Sequence, residues 1–433
     1  MLKHRFPILH EKLSVALNLL IILFAFLMAI NPELGKKPVS LMIILWILTV
    51  DYRYLWELLR TNRTFQAIVG FMGFTTLSLL WSDDISAGIN YLRFYFKFFF
   101  VVVVIIATSL RREYIQPLIW AFLAAMSLNM LMSYAIFFGW TDSFFGFAVH
   151  GDAKNPIPFQ EHHIVYSVFI AFSIFLLLYQ SLQKPHRVFQ ALLLLLALAM
   201  TANLFISTGR TGQIALLFTA MLIAFIYYRK NIRMMLSVLA VLIVTCLLAY
   251  QYSSIFNTRV DRAVEDFSKI VNHHSYRSSW GNRIFAFRVV PDILADTSYL
   301  VGAGVGDLGM MVDKHYRSNG WPGNASVYGI GILHNSFLNV AAATGLIGLG
   351  IFAYLLYLLF AHTYRNGYIG YLRYVLLGML IASSFSSEFF VWHGLAYFFG
   401  LGFALLVVQQ KYEEKTEDGT GPGSFQSVKS VTS

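Results

Sequence analysis

Long apolar runs alternate with short polar breaks along almost the whole chain, and only one polar interval is long. Twelve runs approach the ~20 residues an α-helix needs to cross a hydrocarbon layer. They fall at 14–30, 38–51, 65–81, 92–110, 116–138, 164–182, 188–206, 213–228, 234–250, 336–363, 371–387 and 391–409, the second being the shortest. Only helices or closed barrels satisfy the backbone in hydrocarbon, so the pattern predicts an all-α polytopic membrane protein with about 12 transmembrane helices. It divides into an N-terminal bundle of about nine helices (1–250), a loop subdomain (251–333), C-terminal spans (334–410) and a polar tail (411–433) that reads as disordered.

Charge orients this pattern. One set of short connections collects Lys3, Arg5 and Lys12, then Arg53, Arg60 and Arg63, then Arg111 and Arg112, Lys184 and Arg187, Arg229, Lys230 and Arg233, and Arg365. By the positive-inside rule that side is cytoplasmic, so the long loop faces outward and both termini lie inside. The start, MLKHRFPILHEKL, resembles a signal peptide, but no small-residue cleavage pattern follows Ile30, and an uncleaved first helix is expected.

Composition agrees: 58% of the 433 residues are apolar and 12% charged, with a mean hydropathy of +0.63. The net charge of +10 is scattered between apolar segments rather than gathered in a stripe, which argues against nucleic acid as a partner. The single cysteine, Cys246, excludes an intramolecular disulfide, so the loop must hold itself by packing.

The loop is too long for a connector. Phe256, Val260, Val264 and Phe267 recur at helical spacing, as do Ile284, Phe287, Val290 and Leu294, predicting two amphipathic helices, the second kinked or broken at Pro291. A turn, Gly302-Ala-Gly-Val-Gly306, then leads into an irregular polar stretch.

Where the loop meets the next span the sequence reads LHNSFLNVAAATGLIGLG, placing His334 and Asn335 nine residues before Gly345-Leu-Ile-Gly348. This resembles the His-Asn/Ser/Gln, nine residues, Gly-x-x-Gly motif of the O-antigen ligase and polymerase superfamily. Two more segments carry the likeness. Arg210 lies in STGRTGQ, similar to the family's Arg-x3-Leu, here with Ile214 last; Arg283 lies in SSWGNRIFAFR, where the resemblance implies a second arginine. It further implies a GT-C-like glycosyltransferase with the loop roofing an outer cavity.

Each candidate has a plainer reading. A histidine at a membrane border commonly caps a helix; yet imidazole titrates near neutrality and suits a general base for a hydroxyl. Arg210 at a helix end also fits a snorkelling charge, whereas its planar fork suits a diphosphate. Arg288, five residues after Arg283, points elsewhere on a helix and reads better as a solvated charge. Arg93 and Lys97 sit one turn apart near the outer end of the fourth span, where charges are costly and are either functional or snorkelling. Asp83-Asp84 and Glu161-His162-His163 have metal-binding side chains, but a solvated turn and adjacent histidines fit poorly with a metal site, and no metal or other cofactor is expected.

The resemblance implies catalytic roles for His334, Arg210 and Arg283, with Arg288 and Asn335 as further substrate-binding candidates; Arg93 and Lys97 join that list because charges within a span are costly. The implied donor is O-antigen on undecaprenyl diphosphate, the acceptor a sugar of the lipid A-core oligosaccharide, and the place the periplasmic face of a bacterial inner membrane, among membrane lipids. The alternatives are an O-antigen polymerase, a protein-glycosylating relative, or a transporter, for which broken spans in related halves would be expected. Gly70, Gly73, Gly400 and Gly402 give only local flexibility.

Overall fold

The computed structural model describes residues 6–141, 143–144, 147–148, 151–159, 162–183, 186–276, 278–319, 333–385, 388–390 and 392–417. The N-terminal part contains α1 (Pro7–Ile30), α2 (Pro32–Thr49), α3 (Tyr52–Thr61), α4 (Arg63–Leu77), α5 (Ile85–Phe94), a π-helical turn (Tyr95–Phe100), α6 (Val101–Ser109) and α7 (Ile115–Phe137). A two-residue hairpin, β1 (Ser143–Phe144) with β2 (Phe147–Ala148), precedes α8 (His163–Leu182), α9 (Arg187–Ile206), α10 (Arg210–Tyr228) and α11 (Ile232–Tyr252). The loop subdomain holds α12 (Ser254–His273), α13 (Ser279–Asp296) and α14 (Leu308–Ser318), and the chain closes with α15 (Ser336–Ala361), α16 (Gly367–Ser384) and α17 (His393–Glu417).

The protein is thus a predominantly helical, multi-pass membrane protein, with ten helices among the described residues long and apolar enough to cross a membrane. The expected count of about 12 is corrected in two places. The segment at 38–51 belongs to α2, which bends by 98° into α3 and counts at most as one broken span. The segment at 371–387 forms α16, which carries the buried Arg373 and is not among those ten. The last helix also runs past the expected boundary at 410, to Glu417, because the Glu413 carboxylate accepts the amides of Arg365 (2.8 Å) and Asn366 (3.3 Å). Residues 418–433 of the tail lie outside the described residues.

With apolar side chains against lipid, helices are fixed to one another by small residues and interhelical hydrogen bonds. Gly209 and Gly212 lie on Ser167 of α8, where a methyl group at either position would come within 2.2 Å of that residue. Tyr166 Oη donates to Asn203 Oδ1 (2.6 Å) and Asn203 Nδ2 to Ser133 Oγ (2.9 Å), tying α8, α9 and α7 together. At the far end, Arg111 holds Glu11 through both guanidinium nitrogens (2.5 and 2.7 Å).

The loop subdomain departs from expectation in three ways. The buried stripe of α13 is Phe285, Ala286, Val289, Val290, Ile293 and Leu294, so Phe287 of the expected series points outward. Pro291 leaves α13 unbroken. After the glycine turn comes a helix rather than an irregular stretch: Leu308, Met311, Val312 and Tyr316 of α14 are buried, an i, i+3, i+4, i+8 pattern.

Its anchor is a break in α15. Gly345 takes φ 65°, ψ −168° inside that helix, a conformation essentially confined to glycine. The break frees backbone groups that must find partners. The glycine turn supplies them: Ala303 and Gly304 amides donate to Ala342 and Ala343 carbonyls (both 2.9 Å), while Leu346 and Ile347 amides donate to Tyr299 and Leu300 carbonyls (2.9 and 3.1 Å). Just beyond, Val305 and Gly306 amides donate to Ser78 Oγ (3.2 Å) and Ser82 Oγ (3.0 Å), and the Asp307 carboxylate accepts the amides of Asp83 (2.8 Å) and Asp84 (2.9 Å).

Candidate active site

The beginnings of α8, α10, α13 and α15 meet beneath the loop, and the charged residues at those ends form the site. Approach to α15 is made rigid by its own residues. Leu333 is buried, Asn335 caps the helix by accepting the Leu338 amide (3.1 Å), and Ser336 Oγ accepts the Phe389 amide (3.0 Å). Between them His334 adopts φ 51°, a left-handed conformation that costs a non-glycine residue about 1 kcal/mol or more and is tolerated chiefly where surroundings dictate it. Asn335 therefore has a capping role and is almost wholly buried. Burial, followed by the nearby Arg283 charge, pushes the His334 imidazole down to about 4. The ring is thus neutral near pH 7, able to accept a proton.

Arg283 stands in the first turns of α13, whose start is set by Ser278 Oγ accepting the Gly281 amide (3.0 Å) and braced where Tyr316 Oη donates to Asn282 Oδ1 (2.7 Å). Burial and then Arg210 lower its pKa. Arg288, five residues on, is exposed, which favours Arg283 as the inward arginine.

Arg210 opens α10 directly after Gly209. Its Nη1 is buried with no hydrogen-bond partner among the described residues. Around it stand Arg259 and Arg262 of α12, with Asp266 as the acidic neighbour. Arg259 is held below the ordinary arginine range by burial and then by Arg262. Three half-buried guanidinium groups, Arg210, Arg259 and Arg283, therefore share one region, with Asp266 as an acidic neighbour of Arg210 among the described residues. Cations collected so closely repel one another unless an anion lies between them. An unfilled donor on Arg210 points to the same need.

His163, at the start of α8, lies within electrostatic reach of Arg210, Arg259 and Arg283. Sequence reasoning missed Arg259 and weighed His163 only as a metal ligand. Arg259 sits on α12 one turn from Arg262, a spacing that could have singled it out. The structure does not gather Arg93 and Lys97 into this cluster. Both are exposed, on α5 and the π turn, Arg93 donating to Asn90 Oδ1 (3.2 Å). Asp84 caps α5 by accepting the Ala87 amide (2.8 Å). His162 packs edge-on to Trp392 (4.0 Å), and Glu161 lies outside the described residues. Among the described residues no three metal-ligating side chains converge.

The two motif glycines serve the backbone. Gly345 makes the break, and Gly348 leaves room for Thr344, whose Oγ1 donates to the Val340 carbonyl (2.7 Å). Residues 195–353 match the family model described as O-Antigen ligase. This part of the chain is similar to the O-antigen ligase family. No curated protein matches the chain. The O-antigen ligase segment contains Arg210, Arg259, Arg283, His334 and both glycines, so the match covers the loop together with its anchor. The family performs ligase- or polymerase-type glycosyl transfer in lipopolysaccharide biosynthesis, with polysaccharide and lipid substrates.

A further buried acid lies behind the motif. Glu388 is fully buried, and among the described residues no hydrogen bond is completed to either carboxyl oxygen, although Tyr95 Oη and the Phe390 amide face it. Burial pushes it up to about 8. A carboxyl whose folded pKa exceeds its unfolded value favours folding fully below the unfolded value, and that contribution is lost as pH rises through the folded one. We expect thermal stability to fall between about pH 4.5 and 8 in the wild type and to lose this component in Glu388→Gln. Parallel melting curves for the two proteins across that range would overturn the assignment.

Proposed function

We propose that the protein is an O-antigen ligase that moves O-antigen polysaccharide from undecaprenyl diphosphate to a sugar hydroxyl of the lipid A-core oligosaccharide, at the periplasmic face of the inner membrane. The observation that carries the reading is the arrangement of a neutral His334 beside Arg283, itself beside Arg210, whose buried Nη1 has no protein partner among the described residues. In this reading the acceptor hydroxyl oxygen attacks the anomeric carbon while His334 takes its proton. The bond from that carbon to the diphosphate oxygen breaks with its electron pair, and the configuration inverts. Arg210 and Arg283, with Arg259, hold the diphosphate and stabilise the charge it gains on leaving, in place of a metal ion.

Binding of the diphosphate also acts on the base. Burial is the larger cause of the low imidazole pKa and remains, but the negative charge offsets the smaller Arg283 contribution, so His334 becomes more basic when a donor is present.

The test is a gel profile of lipopolysaccharide and lipid-linked glycan in a host lacking the gene, complemented with wild type or Arg210→Ala. Bare core together with long polymer retained on the carrier in the empty host supports a ligase. Core bearing a single repeat overturns this reading in favour of a polymerase. With purified protein, Arg210→Ala should slow transfer by about 100-fold, corresponding to roughly 3 kcal/mol of lost leaving-group stabilisation. Wild-type turnover would remove Arg210 from the mechanism.

A further inference from the structure

Beside the arginine cluster, on the same end of the bundle, lies a second group of cations that the transfer chemistry does not use. His393, at the start of α17, stacks on Phe94 (5.3 Å between ring centres) and packs against Phe98 (4.1 Å). Lys36 and Lys97 each bring Nζ to 5.3 Å from the centre of the same Phe98 ring, and Arg93 lies one turn before Lys97. Among the described residues their local counter-charge is Glu33, which is already paired with Lys36 and lies 3.2 Å from His393 Nδ1. Lys97 makes no ion pair with a carboxylate among the described residues, although it interrupts the run YFKFFFVVVV. A charge so placed is expensive in an apolar span and marks a binding path. The helix carrying it is π-wound from Tyr95 to Phe100, a local rewinding that frequently accompanies a functional site.

Two side-chain pairs connect this patch to the arginines. His163 faces Arg210, Arg259 and Arg283; its neighbour His162 packs on Trp392, which precedes His393. A run of ring contacts, His162 on Trp392 and His393 on Phe94 and Phe98, thus leads from one cation group toward the other. That is the layout required for joining two anionic lipids. Their phosphates repel if crowded together, so each headgroup needs its own cations, while sugar rings can lie across aromatic faces between them.

Building on the ligase reading, we propose that Lys36, Arg93 and Lys97, ranged around Phe94, Phe98 and His393, hold a phosphate of the acceptor glycolipid headgroup. Arg210, Arg259 and Arg283 hold the donor diphosphate. The assignment gives separate roles to two sets of cations at one end of the bundle.

The experiment uses the full-length protein in lipid nanodiscs. Binding of phosphorylated and enzymatically dephosphorylated lipid A-core is measured for wild type, for Arg93→Gln/Lys97→Gln and for the charge-keeping Arg93→Lys/Lys97→Arg. Removing the two charges should weaken binding of the phosphorylated acceptor about tenfold, as expected for lost charge-assisted hydrogen bonds. Removing the acceptor phosphate should weaken wild-type binding similarly and the Gln variant little further, while the charge-keeping pair retains most of the affinity. In turnover, the Gln variant should raise the acceptor KM and leave the donor KM unchanged.

Equal binding of both acceptor forms by wild type overturns the proposal, as does an equal rise in both KM values. Competition by phosphatidylglycerol as strong as by the acceptor assigns the patch to bulk lipid headgroups instead and also overturns it. Absence of transfer by wild type refutes the ligase reading, and the binding measurements then judge the patch independently.

Discussion

Replacing His334 by asparagine should lower transfer by about 10²–10⁴-fold, the contribution of a positioned general base. Asparagine is the informative substitution because it tolerates left-handed backbone, so the φ of 51° need not change and the melting temperature should stay near that of wild type. Alanine should lose as much activity. The pH profile gives a second reading of the same group. Because the imidazole is held at about 4 in the free protein, the acid limb of kcat/KM should lie near pH 4 rather than at the usual histidine value near 6.5. The kcat limb, which reports the donor-bound state, should lie higher, since the bound diphosphate offsets Arg283. Coincident limbs near 6.5, or full activity in the asparagine variant, would remove His334 from proton transfer.

The largest effect on folding is expected at Gly345. A Cβ there would lie 2.3 Å from the carbonyl of Leu300, and the backbone angles exclude a branched side chain. Gly345→Val should therefore expel the turn at 299–304 from the helix break and lose the four backbone hydrogen bonds that bridge them. Strain and lost bonds together amount to about 4 kcal/mol or more. A markedly lower melting temperature in detergent and faster proteolysis within 251–333 should result. A variant that melts with wild type would show that the turn is not seated there.

The spans were legible because a 20-residue apolar run has few physical alternatives; Arg210 and His334 stood out where such a run meets polar sequence, whereas Arg283 lies within the loop and was singled out by the resemblance alone. What escaped notice depends on distant parts of the chain. The break in α15 looks like an ordinary apolar helix, since its cause, the 299–304 segment, lies more than thirty residues earlier. Helix α14 was hidden by the polar residues between its four buried positions. Arg259 resembled a surface charge of an amphipathic helix, and only the folding of α12 over Arg210 reveals its setting. Glu388 follows an apolar run and nothing local marks its burial; the tyrosine facing it comes from the π turn nearly three hundred residues away.

The two edges of the loop subdomain are unequally fastened. On the exit side lie the backbone bridges to α15, the two serine hydroxyls and the Asp307 carboxylate. On the entry side, α11 has Ala249 as its one buried residue, and the link back to the bundle is Ser253 Oγ donating to the Phe205 carbonyl (2.8 Å) beside the Phe205–Phe256 ring contact. Mechanically the subdomain is a flap bolted along one margin. Least work is needed to lift it at α11 and α12, the margin that carries Arg259. In the proposed reading, opening at that margin would admit a long polysaccharide sideways rather than end first, with Arg259 returning toward the donor diphosphate as the margin closes.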